Sequence, residues 1–184
     1  MVEPCLEILN TLLHRYPHAR VTSVVQPLSA ADFEAQAHKH LSRQAAGGSI
    51  GIIRMTDDRI VLVKRSGMHA GWALPGGTVE HDEDFENAFA REIDEEIGVS
   101  LSDIQHVEIE SKQFVSPMGK TLDFVLAVFT AEATGSALPA PTSDARAEGL
   151  TVALFHSDDL PAQMILGDRQ KAATYAHKSQ DLFE

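Results

Sequence analysis

The chain has 184 residues, of which 43% are hydrophobic and 23% charged, and this composition is typical of a globular protein rather than a disordered one. Its formal net charge of −12 disfavours sequence-independent binding to the phosphate backbone of nucleic acids. The single cysteine, Cys5, excludes an internal disulfide, and no apolar run approaches the ~20 residues that a membrane span requires. We therefore expect a cytoplasmic protein with no nucleic-acid or membrane partner.

Two regions with different patterns divide the chain. Residues 1–46 are predicted to form a mostly helical extension, and residues 47–184 the main domain. Leucines at helical spacing predict a helix over residues 4–15, and apolar residues four apart predict a second helix that starts near Ser29. A short strand over residues 20–26 is expected between these two helices.

From residue 49 the pattern changes to β-branched runs that are typical of strands. Two helices are expected among the strands, over residues 84–97 and 166–177. Five strands are predicted, over residues 50–55, 60–64, 104–115, 121–133 and 150–155. Because strands outnumber helices and one helix interrupts their order, the fold class is α+β, with a mixed sheet, and not a doubly wound fold.

The helix predicted over residues 84–97 is strongly acidic. The window from Glu80 to Glu96 contains nine acidic residues and one arginine, so it carries −8 of the net charge. Glu92, Glu95 and Glu96 stand at positions i, i+3 and i+4, where like charges repel by ~0.2–0.5 kcal/mol per pair on an exposed helix. A hard divalent cation such as Mg²⁺ or Mn²⁺ would turn this repulsion into a binding site. The alternative interpretation is a solvated acidic face.

A glycine-rich loop, Leu74-Pro75-Gly76-Gly77, precedes this helix. Glycines permit backbone angles and close approaches that other residues resist. The loop alone could be a plain turn. Its position ahead of the acidic helix predicts a scaffold that orients the carboxylates.

The loop and the helix together resemble the Nudix box, the signature of the Nudix hydrolase superfamily. Every defined position of the box is matched by Gly77, Glu83 and the run Arg91-Glu92-Ile93-Asp94-Glu95-Glu96-Ile97-Gly98-Val99. One mild departure is Asp82, where the superfamily often has glycine. The resemblance is expected to extend from about residue 48 to the end of the chain.

The resemblance implies an α/β/α sandwich around a mixed β-sheet, and a hydrolase that depends on Mg²⁺ or Mn²⁺. Such an enzyme cleaves the pyrophosphate linkage of a nucleoside diphosphate derivative by attack of water on phosphorus. ADP-ribose or a sugar nucleotide is the favoured substrate, and a nucleoside triphosphate comes next. Members of the superfamily are often dimers, and an interface of a homodimer is expected in residues 1–46.

Carried over residue by residue, the resemblance makes Glu92, Glu95 and Glu96 the metal ligands. It gives Glu83 and Arg91 a part in the geometry of the catalytic site, through hydrogen bonds and charge pairing.

Other site residues are less fixed by the box. Glu96 and Glu148 are the candidates for the general base, although Glu148 is equally well explained as a solvent-exposed loop residue. Arg65, at the end of a strand, could bind phosphate or make an ordinary surface ion pair. Trp72 could stack on a base or pack against the loop. Gly76 and Gly77 are predicted to line the substrate site.

A second class of function uses the same scaffold without catalysis, as a nucleotide-sensing or partner-binding module. Degenerate relatives of that kind lose carboxylates of the box, whereas this chain keeps all of them. Hydrolysis is therefore the leading hypothesis. A calcium-buffering helix is disfavoured because the sequence contains no EF-hand loop.

Overall fold

The structure is a computed structural model. It describes residues 4–43, 47–66, 71–134 and 138–177, with only the backbone for residues 4, 41–43 and 166. The predicted boundary at residue 46 lies outside these residues, and the division into 1–46 and 47–184 stays a prediction.

The described residues form five helices and eight strands, in close agreement with the sequence pattern. The helices are α1 (Pro4–Arg15), α2 (Ala30–Arg43), α3 (Phe85–Ile97), α4 (Ser143–Ala147) and α5 (Leu166–Tyr175). The strands are β1 (Arg20–Pro27), β2 (Gly47–Arg54), β3 (Arg59–Arg65), β4 (Trp72–Ala73), β5 (Gly76–Thr78), β6 (Ser100–Val115), β7 (Thr121–Thr134) and β8 (Leu150–His156). The short elements β4, β5 and α4 lie where the sequence indicated only loops.

The chain forms two compact units, and three of the long strands contribute residues to both. The first unit contains the described parts of Met1–Ile50 together with Gly77–Phe89 and His106–Phe129. The second contains the described parts of Gly51–Gly76, Ala90–Gln105 and Thr130–Glu184.

In the first unit, strands follow the order β1-β6-β7-β2. Strand β1 pairs with β6 in parallel, from Arg20 opposite Glu108 to Pro27 opposite Val115. The N-terminal extension is therefore mostly helical, as predicted, but its strand belongs to the sheet. An aromatic stack in the core contains Phe89, Phe129 and His106. The ring centroids of Phe89 and Phe129 are 5.2 Å apart, and those of His106 and Phe129 are 4.7 Å apart.

In the second unit, β2 pairs with β3, and β3 pairs with both β4 and β8. The β3–β8 pair is antiparallel and runs from Arg59 opposite His156 to Arg65 opposite Leu150. Residues at the centre of β3 are fully buried, which explains their unbroken apolar run. Parallel and antiparallel pairs together confirm the predicted α+β class with a mixed sheet. No helix among the described residues is long and apolar enough to cross a membrane.

Candidate active site

Helix α3 begins and ends at the residues that the sequence indicated. The Asp84 carboxylate accepts a hydrogen bond of 3.0 Å from the amide N–H of Glu86, which makes Asp84 the N-cap. At the other end, Gly98 adopts φ +67°, and its N–H donates to the carbonyls of Ile93 and Asp94 at 3.2 and 3.0 Å. A residue with a side chain would be strained in this left-handed conformation, so the glycine stops the helix.

The apolar stripe of α3 fixes how the helix is rotated about its axis. Phe89, Ile93 and Ile97 are all buried, as the helical spacing predicts. Glu92, Glu95 and Glu96 therefore project along one flank next to the stripe, one turn apart. This rotation brings the three predicted metal ligands to the same side of α3.

Arg91 holds two of the three carboxylates. Its Nη1 donates to Glu92 Oε1 at 3.2 Å and to Glu95 Oε2 at 3.1 Å. Glu95 is mostly exposed, so each of these ion pairs contributes little to stability. Their effect is to reduce the repulsion between the two carboxylates, and the catalytic role of Arg91 stays a prediction.

Glu96 lies deeper than the other two carboxylates. Its side chain is only 9% exposed, and its Oε1 pairs with the guanidinium of Arg65, at the end of β3. Its second oxygen, Oε2, is buried and has no hydrogen-bond partner among the described residues. An unpaired buried oxygen is costly, and a hard cation would satisfy it. The donor chemistry at this position therefore fits Mg²⁺ or Mn²⁺.

The three glutamates are not gathered around one point. Among the described residues, no group of three Asp, Glu, His or Cys side chains forms a metal-binding cluster. Arg91 keeps Glu92 and Glu95 together, while Arg65 holds Glu96 separately. Their assignment as metal ligands thus stays a prediction, and a cation bound by all three would require the Arg65–Glu96 contact to open.

Glu148 follows α4 as its C-cap residue and is exposed. The register of β8 puts Leu150 opposite Arg65, so Glu148 lies two residues beyond this pair at the same end of the strands. The next residue, Gly149, has φ +82°, and a Cβ there would collide with the hydroxyl of Ser66. This packing keeps the segment with Glu148 close to the Arg65 end of β3.

Trp72 and Gly76 lie in the second unit, close along the chain. The Trp72 ring packs edge-on against Phe155, with centroids 5.0 Å apart, and its amide N–H donates to the carbonyl of Gln163 at 2.8 Å. These contacts are with β8 and the segment before α5, so a role of Trp72 in substrate binding stays a prediction. Gly76 has φ +137°, a conformation that favours glycine and that explains the Pro-Gly-Gly motif.

Glu83 and Gly77 belong to the first unit. Glu83 Oε2 accepts from the amide N–H of Glu80 at 3.0 Å, and its own N–H donates to the Glu80 carbonyl at 3.1 Å, so the pair closes the turn before α3. Asp82, inside this turn, has φ +61°, which explains why glycine is common at this position of the box. The Gly77 carbonyl lies 3.0 Å from where a Cβ on Gly48 would stand, so these two backbones approach closely.

Two residues that sequence reasoning missed support the site. Asp168, in the first turn of α5, accepts a hydrogen bond of 2.9 Å from the amide N–H of Leu74 and thereby anchors the glycine-rich loop. Thr142 binds the last turn of α3 through main-chain carbonyls. A Thr at the start of a short helix is a capping signal, which could have identified Thr142. No sequence signal linked Asp168 to a loop 94 residues away.

Comparisons with known proteins identify the family of the chain. The family model of the NUDIX domain matches residues 46–176. The chain is 39% identical over 59 residues to an RNA pyrophosphohydrolase of Saccharophagus degradans, a match that covers 31% of this chain and 34% of that relative.

Solved structures extend the likeness over most of the chain. A MutT NUDIX hydrolase of Burkholderia pseudomallei is 27% identical, with a TM-score of 0.57, over 71% of this chain and 97% of the other. A MutT protein of Bacillus halodurans shares the fold at 23% identity, with a TM-score of 0.58, over 72% and 82%. These likenesses confirm the expected α/β/α sandwich. With its complete box and a family match over most of its length, the chain belongs to the Nudix hydrolase superfamily.

Proposed function

We propose that this protein hydrolyses the pyrophosphate linkage of a nucleoside diphosphate derivative with the help of Mg²⁺ or Mn²⁺. The observation that carries the proposal is the buried Oε2 of Glu96, which has no hydrogen-bond partner in the described part of the chain and lies on a helix with a complete Nudix box, beside the guanidinium of Arg65. A carboxylate in this state is suited to bind a divalent ion, and an arginine next to it is suited to bind phosphate.

In this proposal Glu92, Glu95 and Glu96 hold the divalent ion, which when bound would neutralise phosphate charge and activate water. Arg91 keeps Glu92 and Glu95 in place. Arg65 binds a phosphate oxygen through its planar guanidinium.

The bond changes are those of a simple hydrolysis. The oxygen of water forms a bond to one phosphorus, and the bond from that phosphorus to the bridging oxygen breaks. The proton of the water passes to a carboxylate, either Glu148 or Glu96. The products are a nucleoside monophosphate and a phosphorylated remainder.

The favoured substrate class remains ADP-ribose or a sugar nucleotide, followed by nucleoside triphosphates. The similarity to an RNA pyrophosphohydrolase adds a 5′-triphosphorylated RNA to the compounds worth testing. The net charge of −12 disfavours such a polyanion, because a long RNA would meet a repulsive surface. Cytoplasmic location and homodimer formation are parts of the same proposal.

The test is a panel of ADP-ribose, a UDP-sugar, dGTP and a short triphosphorylated RNA, incubated with Mg²⁺ or Mn²⁺ and analysed by mass. We expect release of a nucleoside monophosphate from at least one small nucleotide and none in excess chelator. The variant Glu96→Gln should lower kcat/KM by about 10² or more, since general bases and metal ligands commonly contribute that much.

The matched control is Asp94→Asn, which removes the same charge from the same helix. Asp94 is exposed and stands at an undefined position of the box. It should keep kcat/KM within about twofold of the unmodified protein, as surface substitutions usually do. Tight nucleotide binding without turnover across the panel would favour the sensing or partner-binding module instead.

A further inference from the structure

Two guanidinium groups neutralise the three box glutamates in this structure. Arg91 belongs to the same helix as its partners, whereas Arg65 reaches Glu96 from the end of β3, 31 residues earlier in the chain. The contacts of Arg91 with Glu92 and Glu95 stay within one helix turn. The Arg65 contact with Glu96 joins two elements, so it can break while α3 keeps its structure.

We propose that Arg65 exchanges partners: it holds Glu96 before the divalent cation binds, and it turns to a substrate phosphate once the cation has taken Glu96. This inference rests on the proposed function. The two side chains differ in freedom, because that of Arg65 is 51% exposed and that of Glu96 only 9%. The arginine can therefore swing towards solvent while the carboxylate remains in place.

Electrostatics gives the exchange its direction. Arg65 occupies Glu96 Oε1, and the second oxygen of the same carboxylate is buried and unpaired among the described residues. A cation that approaches Oε2 comes within a few ångströms of the guanidinium, and the two positive charges repel each other. Arg65 therefore weakens metal binding as long as it has no other anion to pair with.

A substrate phosphate supplies that second anion. By attracting Arg65, it removes the competitor from Glu96 and so strengthens metal binding. Arg65, released from Glu96 when a cation is bound, would in turn be free to pair with the phosphate, so the two ligands would bind with positive coupling. The Arg65–Glu96 ion pair would also lower the affinity for a divalent ion when no substrate is present.

The experiment measures binding directly and does not depend on turnover. Mn²⁺ is titrated into the protein without nucleotide and followed by electron paramagnetic resonance, and ADP is then titrated at saturating Mn²⁺ by calorimetry. The proteins are the unmodified chain, Arg65→Ala, Arg65→Gln and Lys64→Ala. Lys64 is the matched control, because it carries the same charge one residue earlier on β3 and its side chain alternates to the opposite face.

We expect both Arg65 variants to bind Mn²⁺ about tenfold more tightly and ADP about tenfold more weakly, since a charge-assisted hydrogen bond is lost from each competing state. Lys64→Ala should change neither Kd by more than about twofold. Arg65→Gln keeps a long, polar side chain, so the binding test can rely on this variant if Arg65→Ala does not fold.

Three outcomes would overturn the exchange. One is an Mn²⁺ Kd for Arg65→Ala and Arg65→Gln that equals or exceeds that of the unmodified protein. Another is an equal gain for Lys64→Ala, which would assign the effect to long-range charge alone. If the unmodified protein binds no Mn²⁺ with or without ADP, the proposed function fails and the exchange fails with it.

Discussion

Thr142 Oγ1 donates a hydrogen bond of 2.6 Å to the main-chain carbonyl of Glu95, and the Thr142 amide N–H donates to the carbonyl of Glu96 at 3.0 Å. The same hydroxyl accepts from the amide N–H of Ala145 and so caps α4. One residue thus satisfies the end of α3 and the start of α4. The last turn of α3, which carries two of the box carboxylates, is held in place through its backbone.

Replacing Thr142 tests this link. Thr142→Val keeps the shape but leaves carbonyl and amide groups unpaired, so we expect a loss of about 1 kcal/mol in the free energy of unfolding. Thr142→Ser keeps the hydroxyl and should lose much less. Urea unfolding of both variants measures the difference, and equal losses would contradict a role for the hydroxyl.

Arg91 should act through the carboxylates it holds. Arg91→Lys keeps the charge, but a flexible ammonium does not hold the two carboxylates in the fixed directions that the Nη1 hydrogen atoms impose. We expect the Mg²⁺ concentration for half-maximal activity to rise several-fold (roughly threefold to tenfold), because Glu92 and Glu95 repel and spread apart. Activity measured against Mg²⁺ concentration tests this, and an unchanged midpoint would show that Arg91 does not position them.

Asp84 has two partners, and substitutions can separate them. Its Oδ1 caps α3, while its Oδ2 pairs with Arg15 of α1. Asp84→Asn keeps the cap and should lose less than about 0.5 kcal/mol, because the ion pair is partly exposed. Asp84→Ala loses the cap as well and should cost about 1 kcal/mol more. Thermal unfolding of the two variants measures both losses. A loss of stability for Asp84→Asn that is nearly as large as that for Asp84→Ala would show that the ion pair contributes more than the cap.

His106 makes stability depend on pH. Burial lowers its pKa from the ordinary 6.5 to about 4, and its ring stands between Tyr16 and Phe129 with Nδ1 unpaired among the described residues. The unfolded chain binds the proton more readily than the folded one between these values. Its contribution to stability is therefore complete above pH 6.5 and declines as the pH falls towards 4.

Replacing His106 by Gln should remove this slope. Between pH 7 and pH 5 the unmodified protein should lose about 1 kcal/mol more stability than His106→Gln, a value reduced for the partial exposure of the ring. Urea unfolding at the two pH values gives the comparison. Parallel pH profiles for the two proteins would mean that the ring is protonated equally in both states.

The site was predictable from sequence where its determinants are local. The N-cap at Asp84, the stop at Gly98 and the buried stripe that rotates α3 all depend on residues within one helix. Two other contacts join positions far apart in the sequence: that of Arg65 with Glu96, 31 residues apart, and that of Thr142 with Glu95, 47 residues apart. The spacing of residue types along the chain contains no information about contacts of such long range. The strand β4 and the helix α4 were missed because two to five residues are too few to show a period.

The parallel pairing of β1 with β6 has a consequence for how the chain is made. Arg20 meets Glu108, and Pro27 meets Val115, so the partner strand leaves the ribosome long after β1 does. At synthesis rates of about 5–20 residues per second, several seconds pass between the synthesis of β1, with its exposed valines, and the synthesis of the strand that pairs with it. During this interval the β1 segment has no pairing partner, and unpaired strand segments of this kind are prone to aggregation.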